Sequence, residues 1–120
     1  MRIGKEAMID ISKCRGELIN DIDYLKEVLH RLASLMQTTI VGEIQHQFSP
    51  YGITIIAIVA DSHIAIHTWP EFAHVAIDIF SCKQNIPDSI FKYLERIFES
   101  TAIYCQIVDR KVIRNVSTIQ

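Results

Sequence analysis

Several residue types are scarce in this chain, and each scarcity removes a class of protein. Among 120 residues there are three cysteines, an odd number without framework spacing, which excludes a disulfide scaffold. Glycine and proline are few, four and three, and no repeat, low-complexity segment or linker appears along the chain. Positive charge is not in excess. Twelve Lys and Arg stand against fourteen Asp and Glu, and the net charge of -2 gives no basis for nucleic-acid binding. Long apolar runs are missing too: the longest, Ile53 to Ala60, is far too short to span a bilayer. Near the N-terminus, Arg2 and Lys5 lead into Glu6 and Asp10 rather than into an apolar stretch, so no signal peptide is read there. The expectation is a cytoplasmic protein with no membrane partner.

What remains is an ordinary globular composition, 49% hydrophobic and 22% charged. The length suits a single domain over residues 1–120 with one modest core. A chain this small supplies about one sheet and two helices, which cover one sheet face. The other face must be wet or meet another subunit, so a homodimer is expected.

Lys5 to Ile11 reads as a short strand and Cys14-Arg15-Gly16 as a turn. Asn20 or Asp21 caps a helix whose stripe is Ile22, Leu25, Val28, Leu29, Leu32, Leu35 and Met36. Thr38 to Phe48 is rich in β-branched residues and reads as a strand, followed by the turn Ser49-Pro50-Tyr51-Gly52. Ile53 to Ala60 suits a strand covered on both faces, with a partner chain as the second cover. His63 to Thr68 and His74 to Cys82 are further strands joined by a turn over Trp69 to Ala73. Period two gives each an apolar face and a chemical face: His63, Ala65 and His67 on one, His74, Ala76, Asp78, Phe80 and Cys82 on the other. Pro87 fits the first turn of a second helix striped by Ile90, Leu94, Ile97 and Phe98, and Thr101 to Val108 reads as a last strand before a polar tail from Arg110. The order β-α-β-β-β-β-α-β predicts an α+β two-layer sandwich, a mainly antiparallel sheet with two helices on one face, dimerising through the sheet.

The segment Ala60-Asp61-Ser62-His63-Ile64-Ala65-Ile66-His67-Thr68-Trp69-Pro70-Glu71, with Ile79-Phe80-Ser81-Cys82 one strand further on, closely resembles the bacterial and archaeal S-adenosylmethionine decarboxylase family. His46-Gln47-Phe48-Ser49-Pro50-Tyr51-Gly52 resembles that family's His-Arg-Phe segment and Pro-x-Gly turn. The resemblance runs from the first helix to about Cys82 and weakens in the C-terminal third.

The resemblance implies a proenzyme that cuts itself between Asp61 and Ser62 into chains 1–61 and 62–120. Ser62 becomes a covalent pyruvoyl group. Decarboxylation of an amino acid needs an electron sink, which no ordinary side chain provides and which pyridoxal phosphate supplies elsewhere. A pyruvoyl ketone does the same after forming a Schiff base with the substrate amine. By the same resemblance Thr54 and His67 assist processing, His67 by proton transfer. Cys82 is the catalytic proton donor, as an ordinary thiol of pKa about 8.5 is protonated at neutral pH. Phe48 stacks on the substrate's adenine and Glu71 binds the ribose hydroxyls. The implied activity is decarboxylation of S-adenosylmethionine in polyamine and spermidine synthesis.

The chain departs from the family at named positions. Asp61 replaces the usual Glu, Thr54 a Ser and Gln47 an Arg; Phe72-Ala73-His74 stands for Tyr-Gly-Tyr, and Lys83 for a glycine after the cysteine. These changes touch the substrate side more than the processing side. They leave open a member that decarboxylates arginine or ornithine, with Asp10, Glu43 or Asp78 ending a short pocket. They also leave open an unprocessed non-enzymatic homologue acting as partner or regulator.

Taken singly, the same residues have plainer readings. Ser62 alone is a turn or N-cap residue, His67 a hydrogen-bonded structural histidine, Glu71 a solvated turn residue, and Phe48 and Trp69 core. Cys14 and Cys105 read as buried and inert. Ser62 and His67 have opposite parity, so Ser62 must sit at a strand edge or a bulge. A metal site is not expected, because residues four apart in a strand are about 13 Å apart, too far to share an ion.

Overall fold

A computed structural model describes residues 1–82 and 85–114. Strand β1 spans Arg2–Ile11, helix α1 Ile22–Leu35, and strands β2 to β5 Ile40–Gln47, Ile53–Val59, Ser62–Trp69 and His74–Ser81. Helix α2 (Asp88–Phe98) and strand β6 (Ile103–Lys111) follow. The six strands form one antiparallel sheet in the order β2-β3-β4-β5-β1-β6, so β1 is inserted between β5 and β6. The expected element order and α+β sandwich are thus what the chain forms.

Helix α1 begins where its cap chemistry says it should. The Asp21 carboxylate accepts from the Asp23 and Tyr24 amides at 3.1 and 3.2 Å, meeting donors that the first turn cannot satisfy internally. Its stripe of Leu25, Val28, Leu29 and Leu32 is fully buried. On α2, Ile90, Leu94 and Phe98 do the same work. Both stripes join one core with Ala7, Ile9 and Ile11 of β1, Ile53 and Ile55 of β3, Ile64 and Ile66 of β4, and Val75, Ile77 and Ile79 of β5.

The alternate residues face away from the helices. One cross-strand row runs His46, Thr54, His67, Ala76, Asp10, Tyr104 across all six strands; the next runs Ile44, Ile56, Ala65, Asp78, Met8, Gln106. This face carries polar chemistry and exposed apolar side chains together: Ile44 is 70% exposed, Ile58 54% and Tyr104 66%. The near-continuous apolar run of β3 therefore has one face in the core and one, Thr54, Ile56 and Ile58, on the uncovered side.

Three expectations are corrected. β1 begins at Arg2 rather than Lys5, and β6 runs on through Arg110 to Lys111 instead of fraying into a tail. The β1–β6 ladder runs to both ends, with Arg2 opposite Lys111, and ion pairs flank it: Asp109 meets Lys5 and Arg2, and Arg110 meets Glu6. Pro87 stands at the N-cap of α2, one residue before the first turn. Lys83 and the tail beyond residue 114 lie outside the described residues.

Candidate active site

Ser62 is the first residue of β4, where the tight turn from β3 ends. The turn is closed by Ala60, which adopts a left-handed conformation with φ of 53° and whose amide donates to the Thr39 carbonyl at 3.2 Å. The β3–β4 register is regular from Val59–Ser62 to Thr54–His67, so the parity conflict is resolved by position at the strand start rather than by a bulge.

Around the Asp61–Ser62 peptide bond three side chains converge. Cys82 Sγ donates to the Asp61 carbonyl oxygen at 3.2 Å. The Cys82 amide donates to Ser62 Oγ at 3.0 Å. Ser62 Oγ lies 3.5 Å from Asp61 Oδ1, as its donor. The hydroxyl thus faces a carboxylate that can take its proton, while the carbonyl it would attack is polarised by a thiol. Depressions open on both sides of this bond. One of about 360 Å³, toward the helices, is lined by Met36, Gln37, Thr38, Val59 and Ser81 among others. The other, of about 340 Å³ on the uncovered face, includes Glu6, His63, Phe80 and Arg110.

A second cluster sits at the far end of β4. Thr54 Oγ1 and His67 Nδ1 are 3.0 Å apart. With Phe48, Tyr51, Gly52, Trp69 and Glu71 they line a depression of about 360 Å³. The β2–β3 turn that carries Phe48 is pinned from below: the Gly52 amide donates to Asn20 Oδ1 at 3.0 Å, and Gln47 Nε2 donates to the Asn20 carbonyl at 3.2 Å. Gln47, the departure from arginine, thus anchors the turn to the start of α1. Gly52 has φ of 109° and a Cβ there would come within 3.2 Å of the Thr68 carbonyl, so this turn requires glycine.

The two clusters stay apart within one chain. Ser62 and His67 are five residues apart on one strand, about 16 Å. Asp61, Ser62 and Cys82 meet at one end of β4, and Thr54, His67, Phe48 and Glu71 at the other. Of the three candidate acids for a short pocket, Asp10 and Asp78 are on the uncovered face. Glu43 is on the helix face, bound to His30 at 2.9 Å.

Sequence reading missed two features. His74 is held on both sides, Nδ1 against Ser12 Oγ at 2.9 Å and Nε2 against Asp10 Oδ1 at 3.0 Å, with its ring 5.8 Å from that of Trp69. Arg110 and Glu6 pair beside Ser62. Only long-range pairing creates either. Among the described residues, no group of three His, Cys, Asp or Glu side chains is placed to hold a metal ion. Burial raises the Cys14 thiol to about 11, which fits its reading as buried and inert; Cys105 is raised as well but is only partly buried, contrary to its reading as buried.

This sandwich has known counterparts. Residues 5–111 match the family described as S-adenosylmethionine decarboxylase. The chain is 38% identical over 97 residues to the S-adenosylmethionine decarboxylase proenzyme of Acidithiobacillus ferrooxidans, covering 80% of this chain and 73% of that one. To the proenzyme of Moorella thermoacetica it is 30% identical over 112 residues, 92% and 90% of the two chains. The crystal structure of the adenosylmethionine decarboxylase from Aquifex aeolicus has the same fold, with a TM-score of 0.82 over 98% of both chains at 23% identity. The chain belongs to the S-adenosylmethionine decarboxylase family, an enzyme family whose members act on a small molecule. No helix among the described residues is long and apolar enough to cross a membrane.

Proposed function

We propose that this chain is a self-processing S-adenosylmethionine decarboxylase of polyamine synthesis. The observation that carries the reading is the contact of Cys82 with both sides of the Asp61–Ser62 bond. Family membership and the Phe48–Glu71 depression favour S-adenosylmethionine over arginine or ornithine, and they favour an enzyme over a silent homologue.

Processing follows from the residues at hand. Ser62 Oγ gives its proton to the Asp61 carboxylate and attacks the Asp61 carbonyl carbon, whose oxygen is polarised by the Cys82 thiol. The peptide C–N bond breaks as the nitrogen takes that proton back from the Asp61 side chain, and an ester forms. Loss of the Ser62 α-proton then expels the main-chain carboxylate of Asp61, now the C-terminus of residues 1–61, and leaves dehydroalanine at position 62. Water then replaces nitrogen there, with release of ammonia and formation of a pyruvoyl group. The products are chains 1–61 and 62–120 of a single domain.

When formed, the pyruvoyl group supplies the electron sink for loss of CO2. Cys82 stands next to that position and delivers the proton to the decarboxylated carbon. Phe48 offers a stacking face and Glu71 an acceptor for ribose hydroxyls, in the same depression as His67 and Thr54.

Because the two clusters lie about 16 Å apart on one strand, one chain cannot close them on one substrate. A second copy laid face to face on the uncovered sheet, with a two-fold axis near the small Ala65 and Ala76, brings Ser62 and Cys82 of one chain toward His67, Phe48 and Glu71 of the other. It also covers Ile44, Ile58 and Tyr104. We therefore read the working form as a homodimer of processed protomers, located in the cytoplasm. Intact mass of the purified, denatured protein tests the reading: two fragments meeting at the Asp61–Ser62 bond support it, and a persistent single mass refutes it.

A further inference from the structure

Two charged residues beside the scissile bond have no part in the chemistry so far. Arg110 and Glu6 line the depression on the uncovered face that also holds Ser62, His63 and Phe80. Arg110 Nη1 donates to Glu6 Oε1 at 2.7 Å. In the single chain their side chains are 55% and 25% exposed.

The strand register aims this pair at the reaction centre. Gly4 faces Arg110 across β1 and β6. One step beyond the Lys5–Ser81 pair, the β1–β5 register sets Gly4 against Cys82. Arg110, Gly4 and Cys82 therefore share one row on one face, with the outer two about 10 Å apart at the backbone. The middle position cannot carry a side chain, because a Cβ at Gly4 would come within 2.8 Å of the Ser81 carbonyl and 2.9 Å of the Phe80 ring. β1 puts no side chain in that row; the edge of the Phe80 ring fills the space over Gly4, between the guanidinium and the thiol. His63, the other basic group in the depression, is engaged by stacking on Phe80 at 5.8 Å.

We propose that Arg110 binds the α-carboxylate of the amino-acid substrate, and that Glu6 is the partner it exchanges for that carboxylate. The inference rests on the decarboxylase reading. An amino acid whose amine is held at residue 62 and whose α-carbon is protonated by Cys82 must present its carboxylate within a few ångströms of both. A guanidinium is suited to a carboxylate, which it can meet with two parallel hydrogen bonds. The leaving fragment is neutral CO2, so this attraction is full in the bound substrate and fades toward the transition state. Arg110 thus acts on binding and orientation. Its loss raises KM and does not lower kcat.

The test compares S-adenosylmethionine with its decarboxylated product, which differs by the carboxylate alone. The full-length, processed protein is used, with completeness of cleavage checked by mass. Arg110→Gln is expected to raise KM about tenfold or more, the usual weight of a charge-assisted hydrogen bond, with kcat unchanged or raised. The dissociation constant of the decarboxylated product, measured by calorimetry, is expected to stay within about threefold of the unmodified protein's. Glu6→Gln, which frees the guanidinium, is expected to lower KM, and Arg110→Lys to recover part of the loss. KM and product affinity worsening together, or neither changing, overturns the proposal. If Arg110→Gln fails to fold or cleave, Glu6→Gln decides: a higher or unchanged KM overturns it. Failure of the unmodified protein to cleave or decarboxylate would instead sink the reading on which the inference rests.

Discussion

The thiol of Cys82 and the hydroxyl of Ser62 meet at one peptide bond: Sγ is 3.2 Å from the Asp61 carbonyl oxygen, and the Cys82 amide is 3.0 Å from Ser62 Oγ. Cys82 therefore has two separable tasks, polarising a carbonyl before cleavage and giving a proton after it. Cys82→Ala is expected to cleave more slowly and, once cleaved, to lose about 10²–10⁴-fold in kcat, the usual contribution of a positioned acid. Time-resolved mass spectrometry and single-turnover CO2 release separate the two effects.

Thr54 and His67 form one hydrogen-bonded unit, which the proposed dimer brings to Ser62 of the other copy to assist its processing. Thr54→Val removes the hydroxyl at nearly constant shape and is expected to slow processing markedly, whereas Thr54→Ser restores it. His67→Ala is expected to accumulate the uncut chain. The fraction cleaved against time, read on a denaturing gel, checks all three.

The uncovered sheet face carries the proposed dimer. Ile58→Lys and Ile44→Lys each put a charge on that face without touching the core. Each is expected to shift the protein toward monomer in sedimentation experiments and to depress decarboxylation in parallel. A monomer with full activity would refute the shared site.

Cys14 links folding to pH. Its thiol is buried and its pKa is raised from 9.0 to about 11. The unfolded chain therefore releases this proton at lower pH than the folded one. Stability from the buried neutral thiol is complete below about pH 9 and is lost progressively as pH rises toward 11. Melting curves are expected to fall more steeply across that window for the unmodified protein than for Cys14→Ala. Alkylation of the native protein near pH 8 is expected to label Cys82 well before Cys14, as located by peptide mapping.

Much of this was legible in the sequence because it is local. The stripe from Leu25 to Leu32 and the Asp21 cap mark α1 without help from distant residues. Alternation alone sorted His63, His67, Asp78 and Cys82 onto one face. The ends of β1 and β6 were not legible: Arg2, Asp109 and Arg110 look like polar fraying until their ion pairs across some hundred residues are known. The same holds at the site. A motif marks Ser62, His67 and Cys82. Arg110 and Glu6 reach Ser62 only because β1 is inserted between β5 and β6, and His74 gains Asp10 and Ser12 by the same insertion. Parity announced that Ser62 and His67 diverge, but the separation of the site into two clusters needed the regular β3–β4 register.

The central claim is that this chain cuts itself before Ser62, and intact mass of the purified, denatured protein tests it most directly. The account predicts two species, residues 1–61 ending in a free carboxylate and residues 62–120 beginning with a pyruvoyl group and blocked to stepwise N-terminal sequencing. A single full-length mass that persists through long incubation would contradict it.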